Sequence, residues 1–204
     1  MIKHADPDLE FVFPILTMAF ERMRARLAQD EALYPTNLPS QTDRRFGTRG
    51  IAVGTVFRDR QELLDLGHHG RRTAGIYGSV DLGAFSVVVS GGYADDRDEG
   101  EFIEYTGAGG QDGSGFSGSG IQVEDQDFQH SDNRAMQKSV ETKRPIRVFR
   151  GPKASPKYAP DAGYRFDGMY IVEKAFYDKG VHGYRVCKFH LRRVPGQPAL
   201  IKNY

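Results

Sequence analysis

From about residue 51 onward, short apolar and aromatic segments alternate with glycine, proline, aspartate and lysine. Apolar segments bounded by turn-forming residues are typical of β-strands. They predict strands at residues 51–57, 74–77, 84–89, 102–105, 146–149, 168–176 and 184–191, with two short helices at 61–66 and 132–138. The expected fold class is therefore α+β, with a mainly antiparallel, closed or strongly curved sheet and flanking helices.

Two of these segments differ in their expected burial. Residues 86–90 read Ser-Val-Val-Val-Ser. Consecutive apolar positions of this kind predict a strand that is buried on both faces. Residues 170–176 mix apolar and charged positions, which predicts a strand that is half exposed.

The N-terminal part of the chain has a helical pattern. Leu16, Phe20, Met23 and Leu27 recur at spacings of four, three and four, which predicts a helix with one apolar stripe. A polar segment with two prolines follows between residues 34 and 50 and is typical of a linker. We therefore expect an N-terminal helical extension and linker at 1–45, a main domain at 46–198 and a tail at 199–204. The glycine-rich stretch at 107–120 predicts a mobile loop.

Composition narrows the class of protein. With 204 residues and 39% hydrophobic content, the chain has the composition of an ordinary globular protein. Its single cysteine, Cys187, excludes an intrachain disulfide and a cysteine-cluster zinc site. The apolar run at 11–20 is broken by Pro14 and falls short of the ~20 residues that a membrane span needs. We therefore expect an intracellular protein without a membrane partner.

The net charge of +1 hides an uneven distribution of charges. Eight basic residues and one acidic residue lie between 134 and 157, a stretch that could face phosphate groups. Between 93 and 104 the balance reverses, with six acidic residues against Arg97. Either run could also be a solvated charged face, so charge alone does not indicate a function.

Three segments that combine glycine with an aromatic residue give a more specific signal. They are Ala-Gly-Ile-Tyr-Gly at 74–78, Ser-Gly-Gly-Tyr-Ala-Asp-Asp at 90–96 and Tyr-Thr-Gly-Ala-Gly-Gly at 105–110. Further motifs follow: Asp-Asn-Arg-Ala at 132–135, Lys-Tyr-Ala-Pro at 157–160, Arg-Phe-Asp-Gly at 165–168 and Leu-Arg-Arg-Val-Pro-Gly-Gln-Pro at 191–198. In order and spacing, residues 47–198 resemble the SRA (SET- and RING-associated, or YDG) domain, which binds methylated cytosine in DNA. The resemblance implies a PUA-like twisted β-barrel with flanking helices.

The resemblance also implies a pocket for a cytosine that is flipped out of the duplex. Tyr93 and Tyr105 would stack on the two faces of the base, and such stacking contributes ~1–3 kcal/mol per base. Asp96 would accept a hydrogen bond from the N4 amino group, which thymine lacks. Such a pocket would recognise 5-methylcytosine or 5-hydroxymethylcytosine without catalysis.

Further pocket roles follow from the same resemblance. Thr106 matches the position whose backbone N–H faces the base. Gly75, Gly91 and Gly92 match positions where the main chain closes against the base. Ala108 corresponds to the small residue that contacts the 5-methyl group, a contact of about 0.8 kcal/mol. Because alanine lacks a hydroxyl group, we hypothesise that it also leaves space for a 5-hydroxymethyl group.

Two loops of the family fill the gap that the flipped base leaves. Arg72 and Thr73 correspond to one loop. Phe116, Ser117 and Gly118 align with the other, where members specialised for hemimethylated CpG carry Asn-Lys-Arg. This difference argues against inherited hemimethyl selectivity. Phe116 could act as an apolar wedge between base steps, or the loop could have no role in DNA binding.

The remaining expectations concern partners. Phosphate contacts are expected, from charge alone, at Arg134, Lys138, Arg144 and Lys157, and they would give binding a salt dependence. The expected partner is double-stranded DNA that contains modified cytosine, with chromatin-modifying proteins as further candidates and a nuclear location if the source is eukaryotic. No cofactor, catalytic residue or metal ligand is expected.

A nuclease is the alternative class. Glu141 and Lys143 form the Glu-x-Lys pattern of metal-dependent endonucleases, with Asp127 or Asp132 as a second carboxylate. Such carboxylates must be fixed on a strand to hold magnesium, whereas this stretch follows a predicted helix and adjoins Pro145. The alternative function is a modification-dependent endonuclease or its DNA-recognition subunit. A general protein-interaction domain is a third class.

Overall fold

The computed structural model describes residues 44–113 and 120–203. The strands are β1 (Val56–Phe57), β2 (Ile76–Ser79), β3 (Gly83–Val89), β4 (Arg97–Asp98), β5 (Phe102–Thr106), β6 (Ile146–Arg150), β7 (Tyr164–Lys179) and β8 (Arg185–Arg193). Helix α1 (Arg60–Asp65) lies between β1 and β2, and helix α2 (Ser131–Thr142) lies between β5 and β6. The predicted N-terminal helix and part of the predicted glycine-rich loop lie outside the described residues.

These strands form one sheet in the order β2–β3–β6–β7–β8–β5–β4, and β1 pairs with the start of β7. The pairing of β3 with β6 is parallel, and the other strand pairs are antiparallel. Parallel neighbours need a long crossover connection, which the chain supplies here through β4, β5 and α2. The prediction of a mainly antiparallel sheet with short helices is confirmed.

Strand β3 is buried along its whole length. Strands β2 and β6 flank it and α2 packs against it, so residues 86–89 are buried as predicted, while Ser90 is half-buried. The burial of strand β7 changes along its length: the strand is buried from Arg165 to Val172 and exposed from Tyr177 to Lys179. The predicted half exposure of 170–176 therefore holds only for the later residues of that segment.

The predicted strand at 51–57 is wrong for most of its length. Only Val56 and Phe57 pair with β7. Before them the chain turns: Gly54 has a φ of +95°, and the Thr55 N–H donates to the Ala52 carbonyl (3.1 Å). A positive φ of this kind suits glycine and interrupts an extended strand.

Both helices begin at side-chain caps. The Asp59 carboxylate accepts the N–H of Glu62 (2.9 Å) at the start of α1, and His130 Nδ1 accepts the N–H of Asp132 (3.3 Å) at the start of α2. Helix α2 ends four residues later than predicted, where Lys143 adopts the left-handed conformation (φ +53°). Neither α1 nor α2, the helices of residues 44–113 and 120–203, has the length and hydrophobicity of a membrane-spanning helix.

The Arg-Phe-Asp-Gly motif at 165–168 belongs to a buried ion-pair network. Asp167 accepts hydrogen bonds from Arg165 Nε (2.5 Å) and Arg150 Nη1 (2.9 Å). Arg150 also donates twice to Asp98, at 2.8 Å each. The side chains of Arg150, Asp98 and Asp167 are at most 3% exposed. The network joins β4, β6 and β7, so this motif stabilises the fold.

The C-terminal residues 199–203 are held against the loop between β6 and β7. Leu200 is buried, and the Asn203 side chain donates to the carbonyls of Pro156 and Ala159 (2.8 Å each). Residues of the predicted tail therefore contact the main domain.

Candidate functional site

A cavity of about 270 Å³ lies between the segment before β2, the end of β3, the loop before β4 and the end of β5. Its volume is just below the ~300–1,000 Å³ of typical small-molecule pockets. Seven of the eight residues predicted for the base pocket line it, namely Gly75, Gly92, Tyr93, Asp96, Tyr105, Thr106 and Ala108. Thr73 of the predicted DNA-contacting loop lines it as well. The structure thus brings three distant sequence motifs to one small cavity.

Asp96 is the acid of this cavity, and Thr106 holds it in place. The Thr106 backbone N–H donates to Asp96 Oδ1 (2.7 Å), and the Asp96 N–H donates to the Tyr93 carbonyl (3.2 Å). Burial raises the pKa of Asp96 to about 7, although the Thr106 N–H and the Lys188 ammonium group oppose that rise. Ionised Asp96 is a strong acceptor for an amino group. The N–H of Thr106 was expected to face a base, but the structure directs it to Asp96.

Tyr93 and Tyr105 are the aromatic residues of the cavity wall. Tyr105 is buried in β5, and its hydroxyl donates to the Val88 carbonyl (3.3 Å). Burial raises the pKa of Tyr93 to about 12 and raises that of Tyr105 well above its ordinary value. Both phenols are therefore neutral at physiological pH. The cavity offers two uncharged π systems, which base stacking requires.

The three predicted pocket glycines make different contacts. Gly75 approaches the Tyr105 hydroxyl so closely that a Cβ atom at this position would overlap with it. Gly92 lines the cavity, and its carbonyl accepts a hydrogen bond from Gln111 (3.1 Å). Gly91 (φ +65°) is not among the lining residues, and a Cβ atom there would collide with the Lys153 carbonyl. Its close approach is therefore to a neighbouring loop and not to the cavity.

Ala108 is held by Asn133 of α2, a residue whose role the sequence interpretation did not recognise. The Ala108 N–H donates to Asn133 Oδ1 (2.7 Å), and Asn133 Nδ2 donates back to the Ala108 carbonyl (3.0 Å). A third bond joins Asn133 Nδ2 to the Asp127 carbonyl (2.9 Å), and Asn133 is fully buried. The Asp-Asn-Arg-Ala motif was a signal for this residue, although not for its function of fixing the cavity wall.

The predicted DNA-contacting loop at Arg72 and Thr73 is exposed. The next residue, Ala74, is fastened from within the fold, because its carbonyl accepts hydrogen bonds from Arg60 and from His69 Nε2 (3.0 Å). Burial lowers the pKa of His69 to about 3, so this imidazole is neutral and donates from Nε2. The exposed loop therefore begins next to a residue that is held in place beside the cavity.

The other predicted DNA-contacting residues, Phe116, Ser117 and Gly118, lie outside the described residues. The wedge role of Phe116 therefore stays a prediction.

The four candidates for phosphate contacts differ in exposure. Arg134 and Lys157 are exposed, whereas Lys138 and Arg144 are half-buried. Lys138 pairs with Glu141 (2.7 Å), and the Arg144 guanidinium lies over the Phe46 ring at 4.8 Å. Arg134 and Lys157 are therefore the better placed of the four for a phosphate group.

Two arginines of the same basic run are not available to phosphates, contrary to the interpretation of the whole run as a phosphate-facing stretch. Arg147 and Arg150 are fully buried on β6. Arg147 donates to the carbonyls of His68 (3.1 Å), Arg45 (2.9 Å) and Gly47 (2.6 Å). Both arginines stabilise the interior of the fold.

The acidic run is also divided between structural roles. Asp98 pairs with Arg150, and Glu104 pairs with Lys188 (3.1 Å) and with His190 (3.2 Å). The run as a whole is therefore not a solvated charged face.

The Glu-x-Lys pattern lies at the end of α2 and not on a strand. Glu141 pairs with Lys138, and Lys143 is the residue at which the helix ends. Among residues 44–113 and 120–203, no group of three or more acidic, histidine or cysteine side chains is placed to hold a metal ion.

The chain is similar to known proteins over most of its described length. A family model described as the SAD/SRA domain matches residues 45–197. The "UHRF1-like protein" of Cryptococcus neoformans var. grubii is 42% identical over 158 residues, which cover 74% of this chain and 46% of that protein. This chain thus spans less than half the length of that relative.

Two solved structures extend the comparison. The "Modification dependent TagI restriction endonuclease" has a TM-score of 0.69 at 35% identity, covering 74% of this chain and 52% of its own. SUVH5 SRA in complex with fully methylated CG DNA has a TM-score of 0.63 at 38% identity, covering 76% of this chain and 98% of its own. The same SUVH5 domain bound to fully hydroxymethylated CG DNA has a TM-score of 0.64.

Proposed function

The chain belongs to the SAD/SRA domain family, and from this membership we propose that it binds double-stranded DNA and takes up a flipped, modified cytosine in the cavity. One observation carries the proposal: the buried Asp96 carboxyl group lies in one small cavity with two neutral tyrosines, Tyr93 and Tyr105. A flipped pyrimidine needs this combination of an acceptor and π faces.

Each group has a role in recognition. Asp96 accepts a hydrogen bond from the N4 amino group of cytosine, and thymine is disfavoured because it presents an oxygen there. Tyr93 and Tyr105 stack on the base. Ala108, which Asn133 fixes in place, contacts the substituent at carbon 5.

The proposed ligand is 5-methylcytosine, and 5-hydroxymethylcytosine is a second proposed ligand. The solved structures of SUVH5 SRA with methylated and with hydroxymethylated CG DNA support this part of the proposal. The methyl side chain of Ala108 adds a small apolar contact and leaves space for a hydroxyl group.

The duplex around the flipped base is held by the exposed loop at Arg72 and Thr73 and by phosphate contacts. Arg134 and Lys157 are the foremost phosphate ligands because they are exposed. The slope of log K against log salt concentration is negative, and each phosphate contact that is removed should reduce its magnitude by about one. Lys157→Gln and Arg134→Gln should each do so, whereas loss of binding without a change in slope would argue against a phosphate contact.

The proposal also covers the bounds of the domain and the shape of its sheet. We place the SRA domain at 46–198 and infer that its sheet curves into a barrel. Contacts between its distant parts support the curvature: Tyr105 of β5 donates to Val88 of β3, and Arg150 of β6 pairs with Asp98 of β4. A DNA-methylation reader from a eukaryote would act in the nucleus, alongside chromatin-modifying proteins.

A binding titration tests the function. Four duplexes that differ only in one CG site (unmodified, hemimethylated, fully methylated and fully hydroxymethylated) are titrated by fluorescence anisotropy with the protein and with Asp96→Ala. We expect the methylated duplexes to bind about fourfold more tightly than the unmodified one, because the 5-methyl contact contributes about 0.8 kcal/mol. Asp96→Ala should weaken binding to every modified duplex at least about tenfold, because a lost hydrogen bond to a charged group costs ~1.5–3 kcal/mol. The exposed Asp161 offers a matched control, Asp161→Ala. Unchanged binding by Asp96→Ala would falsify the pocket assignment.

A second function is favoured by the likeness to the TagI restriction endonuclease. In this alternative, the chain is the DNA-recognition part of a modification-dependent nuclease. We infer that the described region reads DNA without cutting it, since its Glu-x-Lys pattern lies at a helix end. Incubation of methylated plasmid with the protein and magnesium tests whether this chain cuts DNA itself. Fragments would support a nuclease, whereas intact DNA would support a reader or a recognition part that acts with a separate nuclease.

A further inference from the structure

Lys188 is a buried lysine behind the wall of the cavity, and the recognition chemistry described above does not use its charge. The register of β5 and β8 places Lys188 opposite Thr106, the residue whose N–H holds Asp96. Lys188 Nζ donates to the Asp95 carbonyl and lies 3.1 Å from Glu104 Oε1. Its side chain is only 5% exposed.

The bond from Lys188 fixes the turn that carries Asp96. The Asp95 carbonyl and the Asp96 N–H belong to the same peptide group, and that N–H donates to the Tyr93 carbonyl (3.2 Å). Both ends of the peptide group are therefore hydrogen-bonded. The Asp95 side chain is held as well, because its Oδ1 accepts the N–H of Val181 (2.8 Å). The turn thus has little freedom to rotate Asp96 away from the cavity.

A buried ammonium group is costly unless an opposite charge compensates it. Glu104 provides part of that compensation, but its side chain is 26% exposed. Lys188 also acts on Asp96, where its charge opposes the rise in pKa that burial causes. A neutral residue could fill the same space without the cost of burying a charge, so the charge itself indicates a role.

We propose that Lys188 is a positioning residue that keeps Asp96 oriented and ionised for recognition of the cytosine amino group. This inference rests on the proposed function. Lys188 acts through the Asp95 carbonyl, which orients the turn, and through its charge, which favours the carboxylate over the carboxylic acid.

The other groups around Asp96 do not replace this charge. Asp95 in the same turn disfavours ionisation of Asp96, and Tyr93 and Tyr105 are neutral. The more distant charged groups are Asp132 of α2 and Arg60 of α1, which act on the tyrosines. Glu104 pairs with Lys188 and also with His190. Among the described residues, Lys188 is the cation that acts directly on Asp96.

The test is the pH profile of binding to a fully methylated CG duplex, measured by anisotropy from about pH 6 to about pH 9 at constant salt. For the unaltered protein, affinity should rise with pH as Asp96 ionises, with a midpoint near its pKa of about 7. Lys188→Met removes the charge and should move the midpoint upward by about one pH unit or more. Lys188→Arg keeps the charge and should retain the original midpoint.

A second variant covers the case in which Lys188→Met does not fold. Glu104→Gln removes the acid that competes for the Lys188 charge, so the midpoint should move downward. A flat profile for the unaltered protein, or midpoints that do not move in these variants, would overturn the role of Lys188. Loss of any preference for methylated over unmodified DNA at about pH 9 would instead refute the proposed function, so the two failures are distinguishable.

Discussion

Replacing Asp96 by asparagine should stabilise the protein at neutral pH while it removes recognition of the base. Asparagine keeps an oxygen that can accept the Thr106 N–H, now bound to Asp96 at 2.7 Å, but it carries no charge. Burial raises the pKa of Asp96 to about 7 from the ordinary value of 3.8. The folded protein therefore retains a proton on Asp96 at pH values where the unfolded chain has lost it. For such a group, stability decreases as the pH rises from about 4 to about 7 and changes no further above that.

The magnitude follows from the same two pKa values. A difference of about three pH units at about 1.4 kcal/mol each gives roughly 4 kcal/mol as an upper bound. Asp96 is half-buried as a residue and its carboxyl group lines a cavity. Because the residue is half-buried, solvent screens part of its charge, and we take about half of the bound, ~2 kcal/mol. Asp96→Asn should therefore be more stable than the unaltered protein by ~2 kcal/mol above pH 7, a rise in Tm of about 4–8 °C.

Urea denaturation followed by circular dichroism, at about pH 4.5, 6 and 8, measures this effect. The advantage of Asp96→Asn should be small at the lowest pH and complete at the highest. Asp161→Asn, at an exposed carboxylate, is the matched control and should change stability by less than about 0.5 kcal/mol. A stability difference that does not vary with pH, or a less stable variant at about pH 8, would refute the reasoning. The affinity of Asp96→Asn for methylated DNA should fall at least about tenfold.

Three further substitutions test the support of the cavity and the buried ion-pair network. Gly75→Ala should push the Tyr105 ring from its place, because a Cβ atom would overlap with its hydroxyl; we expect an affinity loss of about tenfold or more in the same titration. Asn133→Ala leaves the N–H and carbonyl of half-buried Ala108 without their partner and should cost ~2–3 kcal/mol in urea denaturation; a loss below about 1 kcal/mol would contradict the role of Asn133 in holding Ala108. Asp167→Ala removes one partner of a buried ion pair and should cost ~3–5 kcal/mol by the same assay, with Asp161→Ala as its control.

The strands were predictable where an apolar run coincides with backbone pairing. Strand β3 is such a case, because its burial on both faces follows from its consecutive valines. The prediction failed at 51–57, where Ile51 and Val53 pack against the core around Phe57 from a turn. Apolar character reports burial and not pairing, so these two cases look alike in a sequence. Strand β4 consists of Arg97 and Asp98 alone, which is too short and too polar to give a signal.

The residues of the cavity wall were predictable from the family resemblance that their local motifs carry, whereas their supports were not. Tyr93, Asp96 and Tyr105 stand beside glycines in segments of a few residues. Their supports come from far along the chain: Lys188 lies 93 residues from Asp95, to which it donates. No local pattern records a contact over that separation.

A run of charges in the sequence does not show which of them are paired in the fold, as Asp96 and Asp98 illustrate. Both belong to one acidic run and differ little in their sequence surroundings. Asp98 accepts two hydrogen bonds of 2.8 Å from the Arg150 guanidinium, so its charge is neutralised within the fold. Asp96 accepts one hydrogen bond, from the Thr106 backbone N–H at 2.7 Å. The nearby Lys188 ammonium group favours its charge but donates its hydrogen bond to the Asp95 carbonyl. An acid whose charge is only partly compensated in a cavity can still accept a hydrogen bond from a ligand. This difference, which only the fold creates, is the reason that we propose Asp96 as the residue that reads the base.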